Sequence, residues 1–363
     1  MSEFLVVTDA QGATLDDLVA THKSLVVAGS KDIKWLVHGA VPDAIKHLQR
    51  RWSFRRVRVV ATVDDFKASD FVIFLDSGDG LYRESLVAVR ETTRKNPATD
   101  LIYGDSAHPT GVKAEPLSFV RRPGWSPERL RSHCYVGETL IARADIVERV
   151  GGITDLVARH PHDRALRFGE CAKNIVRMPE LLTMGKNRDT RPSASLEAVV
   201  EHCRREKIDA HCELDGAVPS VRVKRNLTTE PSVAVIVPTR GTSAEVFGSE
   251  RVLVVEAVRS LLEKSTYQNF EVVVVADAPT PQSVLDTLRE IGGSRLKIIN
   301  YDRPFNFAEK NNLGAMSCES DLILLLNDDT EIITAEALEI MVAMFNDPTV
   351  GVVGPMLLFE DST

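Results

Sequence analysis

Apolar runs that stop abruptly on polar residues organise the C-terminal part of the chain. They are Ser232–Pro238 (SVAVIVP), Phe270–Asp277 (FEVVVVAD), Arg295–Tyr301 (RLKIINY) and Leu322–Leu326. Their length and β-branched content predict buried strands. Helical spacing fills the gaps. Leu253, Ala257 and Leu261, with Val254, Val258 and Leu262, place an apolar stripe on Leu253–Ser265. Further helices are expected at Ser283–Ile291, near Ala308–Cys318 and near Ala335–Phe345. Strands alternating with helices predict an α/β fold with a mostly parallel, Rossmann-like sheet and helices on both faces.

The N-terminal part repeats the pattern coarsely. Phe4–Asp9, Ile33–Gly39, Val57–Ala61 and Phe71–Asp76 read as strands, with helices at Leu15–His22 and Ala44–Arg51. The fourth strand of each part ends in carboxylates: "FLDSGDG" at Asp76 and "LLLNDDT" at Asn327. This predicts two tandem domains. Residues 1–190 form the first, 191–231 a linker containing a helix at Ser193–His211, and 232–363 the second.

In parallel sheets, ligands bind outside the carboxyl ends of the strands. Pro238-Thr239-Arg240, Asp277 and Asn327-Asp328-Asp329 all fall there. Paired carboxylates at a strand end suit Mg²⁺ or Mn²⁺, which take oxygen ligands and let phosphates and water complete the shell. Asp329 is the first choice as direct ligand, with Asn327 beside it. Asp277 suits a ribose hydroxyl or base edge, Arg240 suits phosphate, and Lys310, Asn311 and Asn312 open or line a helix nearby. The plainer readings are turn residues, a helix cap at Asp329 or Thr330, a surface salt bridge at Arg240, and solvent exposure for Lys310 to Asn312.

Composition narrows the classes. The chain has 363 residues, 44% hydrophobic and 26% charged, with a net charge of −8, which argues against a nucleic-acid partner. The basic run Arg50–Arg58 reads as a solvated face or as a peripheral contact with anionic lipid. Five cysteines without CxxC pairs fit free thiols in a reducing, cytoplasmic setting. His202-Cys203 and His211-Cys212 match no standard zinc spacing. The start has no signal-peptide pattern, and no apolar run approaches the ~20 residues that span a bilayer.

The ordered set "SVAVIVPTR", "YQNFEVVVVAD", "YDRPFNFAEKNNLGA", "LILLLNDDTEI" and "VGVVGPMLLFED" resembles family 2 glycosyltransferases of GT-A fold. It is nearest to bacterial enzymes of the rhamnosyltransferase and O-antigen or cell-wall polysaccharide kind. The resemblance implies a nucleoside-diphosphate sugar donor, a glycan or glycolipid acceptor, a divalent metal and an inverting displacement. It implies that Pro238, Thr239 and Arg240 form the first nucleotide loop and that Asp277 is the nucleoside-binding acid. Lys310, Asn312 and Asp328 join the nucleotide site, and Asn327-Asp328-Asp329 stands where the family has Asp-x-Asp.

Two departures follow. "DLIYGD", "RRPGWSPERLRSHCYVGETLIARADIVERVGG" and "HPHDRALRFGE" liken the first part to the same family, yet Gly78 replaces the second metal Asp, His38-Gly39 replaces the nucleoside acid, and Pro161 stands at the base position, leaving Asp163. The "NNLGA" helix has no counterpart between Val60 and Phe71. The first domain is thus expected to be a degenerate copy. The second is expected to be truncated in its C-terminal half, with its general base beyond Thr363; Glu360 and Asp361 read as surface charge. The alternative is a non-catalytic tandem pseudo-transferase acting as a scaffold or glycan-binding module. An aspartyl phosphatase is disfavoured because Asn327 cannot be the nucleophile, and an oxidoreductase because no strand leads into G-x-G-x-x-G.

Overall fold

The computed structural model describes residues 4–28, 33–39, 43, 46, 57–60, 71–113, 116–185, 192–216 and 218–359. The expected helix Ala44–Arg51, most of the basic run, the interval between Val60 and Phe71, and Glu360 and Asp361 lie outside these residues. The chain divides into two compact units, Met1–Val223 and Lys224–Thr363.

In the first unit, β1 (Phe4–Asp9), β2 (Ile33–His38), β3 (Val57–Val60) and β4 (Phe71–Phe74) are parallel, in the order β3-β2-β1-β4. The sheet continues through β5 (Gly80–Leu81), β6 (Leu101–Pro109), β7 (Leu117–Val120), β8 (Leu140–Arg143) and β9 (Ile175–Met184). Here β8 is antiparallel to β4 and to β6. The central strands are apolar on both faces because both are covered. Leu5, Val7, Val72 and Phe74 enter one core, and Phe4, Val6, Phe71 and Ile73 the other.

The expected linker is divided. Helix Pro192–Arg205 buries Ala198, Val199 and Cys203 in the first of these cores. It ends well before His211. Lys207 takes a left-handed φ of 57°, and Ile208 N–H reaches back to Cys203 O at 2.8 Å. That closes the helix in the manner of a Schellman cap. His211 and Cys212 then lie on β10 (Ala210–Leu214), paired with β11 (Val221–Arg225), whose Val221 enters the same core.

In the second unit, β12 (Val233–Thr239) is followed by a hairpin of β13 (Ser243–Val246) and β14 (Ser249–Val252). Then come β15 (Phe270–Asp277), β16 (Leu296–Tyr301) and β17 (Leu322–Leu325). The sheet is wholly parallel, in the order β16-β15-β12-β17. Each unit therefore places its parallel strands third, second, first, fourth. Alternation sorts the side chains: Val233, Val235, Val237, Val272 and Val274 face helices Leu253–Lys264 and Gln282–Gly292. Ala234, Ile236, Val273 and Val275 face the other way.

Helix Phe307–Ala315 covers that second face, and Gly314 lets it come close. A Cβ at Gly314 would lie 2.4 Å from Ile236 Cγ2 and 3.2 Å from Val275 Cγ2. Helix propensity alone would make Gly314→Ala stabilising by about 1 kcal/mol. Overpacking costs about 1–3 kcal/mol and acts at the sheet itself. Gly314→Ala is therefore expected to lower the urea midpoint of the second unit; a raised midpoint would show that the helix can retreat freely.

Candidate functional site

The strand register brings three motif segments level. Thr239 pairs with Ala276, Asp277 with Tyr301, and Ile236 with Leu325. Three residues beyond each member of that last pair lie Thr239 and Asp328, and they meet: Thr239 Oγ1 donates to Asp328 Oδ2 at 2.6 Å. Gly241 N–H donates to the same hydroxyl at 2.9 Å. The turn needs glycine there, since its φ is +67° and a Cβ would meet Thr280 Cγ2 at 2.7 Å.

Lys310 joins the remaining ends. Its side chain is fully buried, with Nζ 2.8 Å from Asp277 Oδ1 and donating to Thr239 O at 2.7 Å. Such a lysine must be paired, because an uncompensated charge in that position is costly. The plain expectation of a solvated Lys310 is thereby corrected: the residue is a strut between β12 and β15. Asp277, itself buried, is also approached by Arg240 Nε at 3.5 Å through Oδ2.

The other expected residues fall as follows. Pro238 is a buried strand residue, and a proline supplies no N–H to phosphate. Asn311 is buried and donates to Phe307 O at 2.9 Å, whereas Asn312 is exposed on the helix. Asn327 is exposed and its carbonyl accepts from Thr330 Oγ1 at 2.7 Å. Asp329 is exposed, and its carboxylate has no partner among the described residues. Neither Asp329 nor Thr330 caps the following helix, which begins at Ala337 behind Glu336.

Sequence reasoning gave no role to two residues here. Phe305 is exposed beside Arg240, with the guanidinium carbon 5.6 Å from its ring centre. Thr280 sits on the turn after Asp277, and its buried hydroxyl has no hydrogen-bond partner among the described residues. An aromatic in the loop "YDRPFNF" was the available signal for Phe305. Nothing in the sequence marked Thr280.

At the matching strand ends of the first unit, Asp76 Oδ1 lies 3.4 Å from Arg164 Nη2. The loop after it is closed by its own contacts. Thr21 Oγ1 accepts from Gly78 N–H at 2.9 Å and donates to Asp79 O at 2.8 Å. Asp79 N–H donates to Asp76 O, and Leu81 N–H to Ser24 Oγ. Asp163, the acid left near the expected base position, is held by Arg159 at 2.9 Å, Arg167 at 3.0 Å and Arg205 at 3.6 Å. The Cys203 and Cys212 sulfurs lie 3.9 Å apart, but His202 is held by Glu170 and Arg131. No group of three metal-ligating side chains occurs among the described residues.

Residues 235–363 match the family model described as glycosyl transferase family 2. This part of the chain is a family 2 glycosyltransferase domain. The motifs that carried the resemblance lie almost wholly within it. Over 98% of its length the chain is 30% identical to the O-antigen biosynthesis protein RfbC of Myxococcus xanthus, of which it covers 29%. It is 26% identical, over 80% of its length, to the uncharacterized protein y4gI of Sinorhizobium fredii, of which it covers 33%. The chain thus spans about a third of the length of these curated relatives. Among solved structures, S. aureus TarS 1–349 in complex with UDP-GlcNAc aligns with a TM-score of 0.41 at 12% identity, over 56% of this chain and 66% of that one. No site is carried over from a likeness that low. Among the described residues no helix is long and apolar enough to cross a membrane.

Proposed function

We propose that the glycosyltransferase domain binds a nucleoside-diphosphate sugar at the ends of β12, β15 and β17, and that it serves the transfer of that sugar to a polysaccharide or glycolipid acceptor with inversion. One observation carries the reading. Thr239, Asp277 and Asp328 are tied into one network through Lys310, while Asp329 next to them keeps an exposed carboxylate without a partner among the described residues. Water solvates the Asp329 carboxylate, which leaves it available to a cation, whereas the buried members of the network are committed to one another.

The donor set fits a hard divalent cation only in part. Asp329 and the side-chain oxygen of Asn327 are oxygen donors of the right kind, and too few to hold an ion alone. Mg²⁺ or Mn²⁺ would therefore sit there together with the donor's phosphates, where its charge would favour departure of the diphosphate. Arg240 would reach phosphate, and Asp277 would accept hydrogen bonds from the nucleoside. Asn312, exposed on its helix, would act only where a ligand extends along that face.

For the first unit we propose a tandem, non-catalytic copy of the same architecture. Support comes from the shared strand order, the closed loop after Asp76 and the three arginines on Asp163. The change of copy then falls between helix Pro192–Arg205 and β12. The name of the Myxococcus relative supports a polysaccharide product, and five free cysteines are in keeping with a cytoplasmic location. Peripheral contact with the membrane would rest on the basic run.

Calorimetric titration with UDP and dTDP, with and without Mn²⁺, tests the donor site. Wild-type protein is expected to bind at least one nucleotide more tightly with the metal. Asp329→Ala is expected to remove that increment by more than the roughly 10–100-fold typical of losing an outer-shell partner. An Asp329→Ala variant that keeps the full metal effect would refute the assignment.

A further inference from the structure

Phe305 is a large aromatic side chain left 57% exposed beside a buried ionic network. Its loop is braced. The Tyr301 hydroxyl lies 3.0 Å from Pro304 O and 2.9 Å from Glu309 Oε2. Arg303 pairs with Glu309, and Asn306 caps the next helix by accepting from Glu309 N–H at 3.1 Å. Hydrogen bonds from Tyr301 and Arg303 hold the Glu309 carboxyl below its usual range, so this brace stays charged. The ring is therefore presented to solvent from a fixed position, at the cost of exposed apolar area.

Two cations lie near that ring, and they differ in kind. Lys310 Nζ, 5.4 Å from the ring centre, is fixed by Asp277 and Thr239. Arg240 has a side chain 63% exposed, and its described contacts are the ring at 5.6 Å and Asp277 Oδ2 at 3.5 Å. Both contacts are weak for an exposed guanidinium, because water and salt screen them. A base stacked on an aromatic ring covers more area and gains more. Asp277 offers an acceptor beside Arg240, and Thr280, packed on Gly241, offers a buried hydroxyl without a partner among the described residues.

We propose that Phe305 is the wall on which the donor's nucleobase stacks. Arg240 covers that wall in the empty site and turns to the diphosphate when the base arrives. The inference rests on the donor reading above and adds the residue that grips the base.

The test is calorimetry on the 363-residue chain with Mn²⁺, using UDP, dTDP and GDP as nucleotides and pyrophosphate as the base-free probe. For whichever nucleotide wild type binds, Phe305→Ala is expected to weaken binding roughly 5- to 100-fold and Phe305→Tyr to restore it. Pyrophosphate affinity is expected to stay within about twofold in Phe305→Ala and to fall in Arg240→Ala. The natural tryptophans, Trp35, Trp52 and Trp125, all precede the second unit. The indole of Phe305→Trp therefore reports on this site, and its fluorescence should change with the calorimetric affinity. Equal nucleotide affinity in wild type and Phe305→Ala overturns the stacking while leaving the donor site standing. Parallel loss of pyrophosphate binding in Phe305→Ala also overturns it. Unchanged pyrophosphate affinity in Arg240→Ala overturns the role given to the guanidinium. Failure of wild type to bind any of the four probes overturns both readings.

Discussion

Lys310→Met is expected to destabilise the second unit by about 3–5 kcal/mol, the usual result of removing one partner of a buried ion pair. The methionine fills much of the volume, so the loss is electrostatic. Among the described residues Asp277 then keeps a buried charge with only the exposed Arg240 near it, and Thr239 O loses its donor. Total stabilities of domains are about 5–15 kcal/mol, so the effect is a large share of the whole. Hydrogen exchange of peptides from β12 and β15 along a urea series would isolate this unit from the first. Unchanged protection there would mean that the pair contributes nothing to the fold. A double variant with Asp277→Asn is expected to recover part of the loss, because the stranded charge is then gone.

Acid is expected to weaken the first unit through His162. This residue of helix Pro161–Cys171 is fully buried. Its Nε2–H donates to Leu130 O at 2.6 Å, and Nδ1 has no partner among the described residues. Burial pushes its pKa down to about 4; the bond to Leu130 opposes this, and His160, His133 and His202 reinforce it. The unfolded chain titrates near 6.5 and binds a proton that the native state refuses until about pH 4. Stability is therefore full above pH 6.5 and falls as pH is lowered through that window. The loss reaches about 3 kcal/mol at pH 4. Urea midpoints of wild type and His162→Gln at pH 7.5 and 4 separate this group from the rest. Parallel pH profiles in the two proteins would sink the assignment.

The apolar periodicity made most of the fold legible. Phe4–Asp9 and Phe270–Asp277 form the expected strands residue for residue, because a strand covered on both faces writes itself as a near-continuous apolar run. Elements that depend on special backbone conformations were not legible. The β13–β14 hairpin turns on Phe247-Gly248, with φ of 51° and 73°, and phenylalanine is a poor signal for such a turn. Helix Pro192–Arg205 stops at a left-handed lysine where glycine is the usual marker. In the candidate site, the strand ends and their acids could be read in order. The burial of Lys310 could not, since "AEKNN" has the composition of a solvated helix and only Gly314, one turn on, brings that face down onto the sheet. Phe305 was hidden for a similar reason: its exposure depends on a brace from Tyr301 that is assembled only in three dimensions.

The closed loop after Asp76 shifts where the first unit can tolerate change. The amides of Gly78, Asp79 and Leu81 answer to Thr21, Asp76 O and Ser24. No visiting anion is needed to hold them, and none would find them vacant. The two hydroxyls of Thr21 and Ser24 are therefore residues the loop cannot do without, together with Asp76, whose carboxylate faces the buried Arg164.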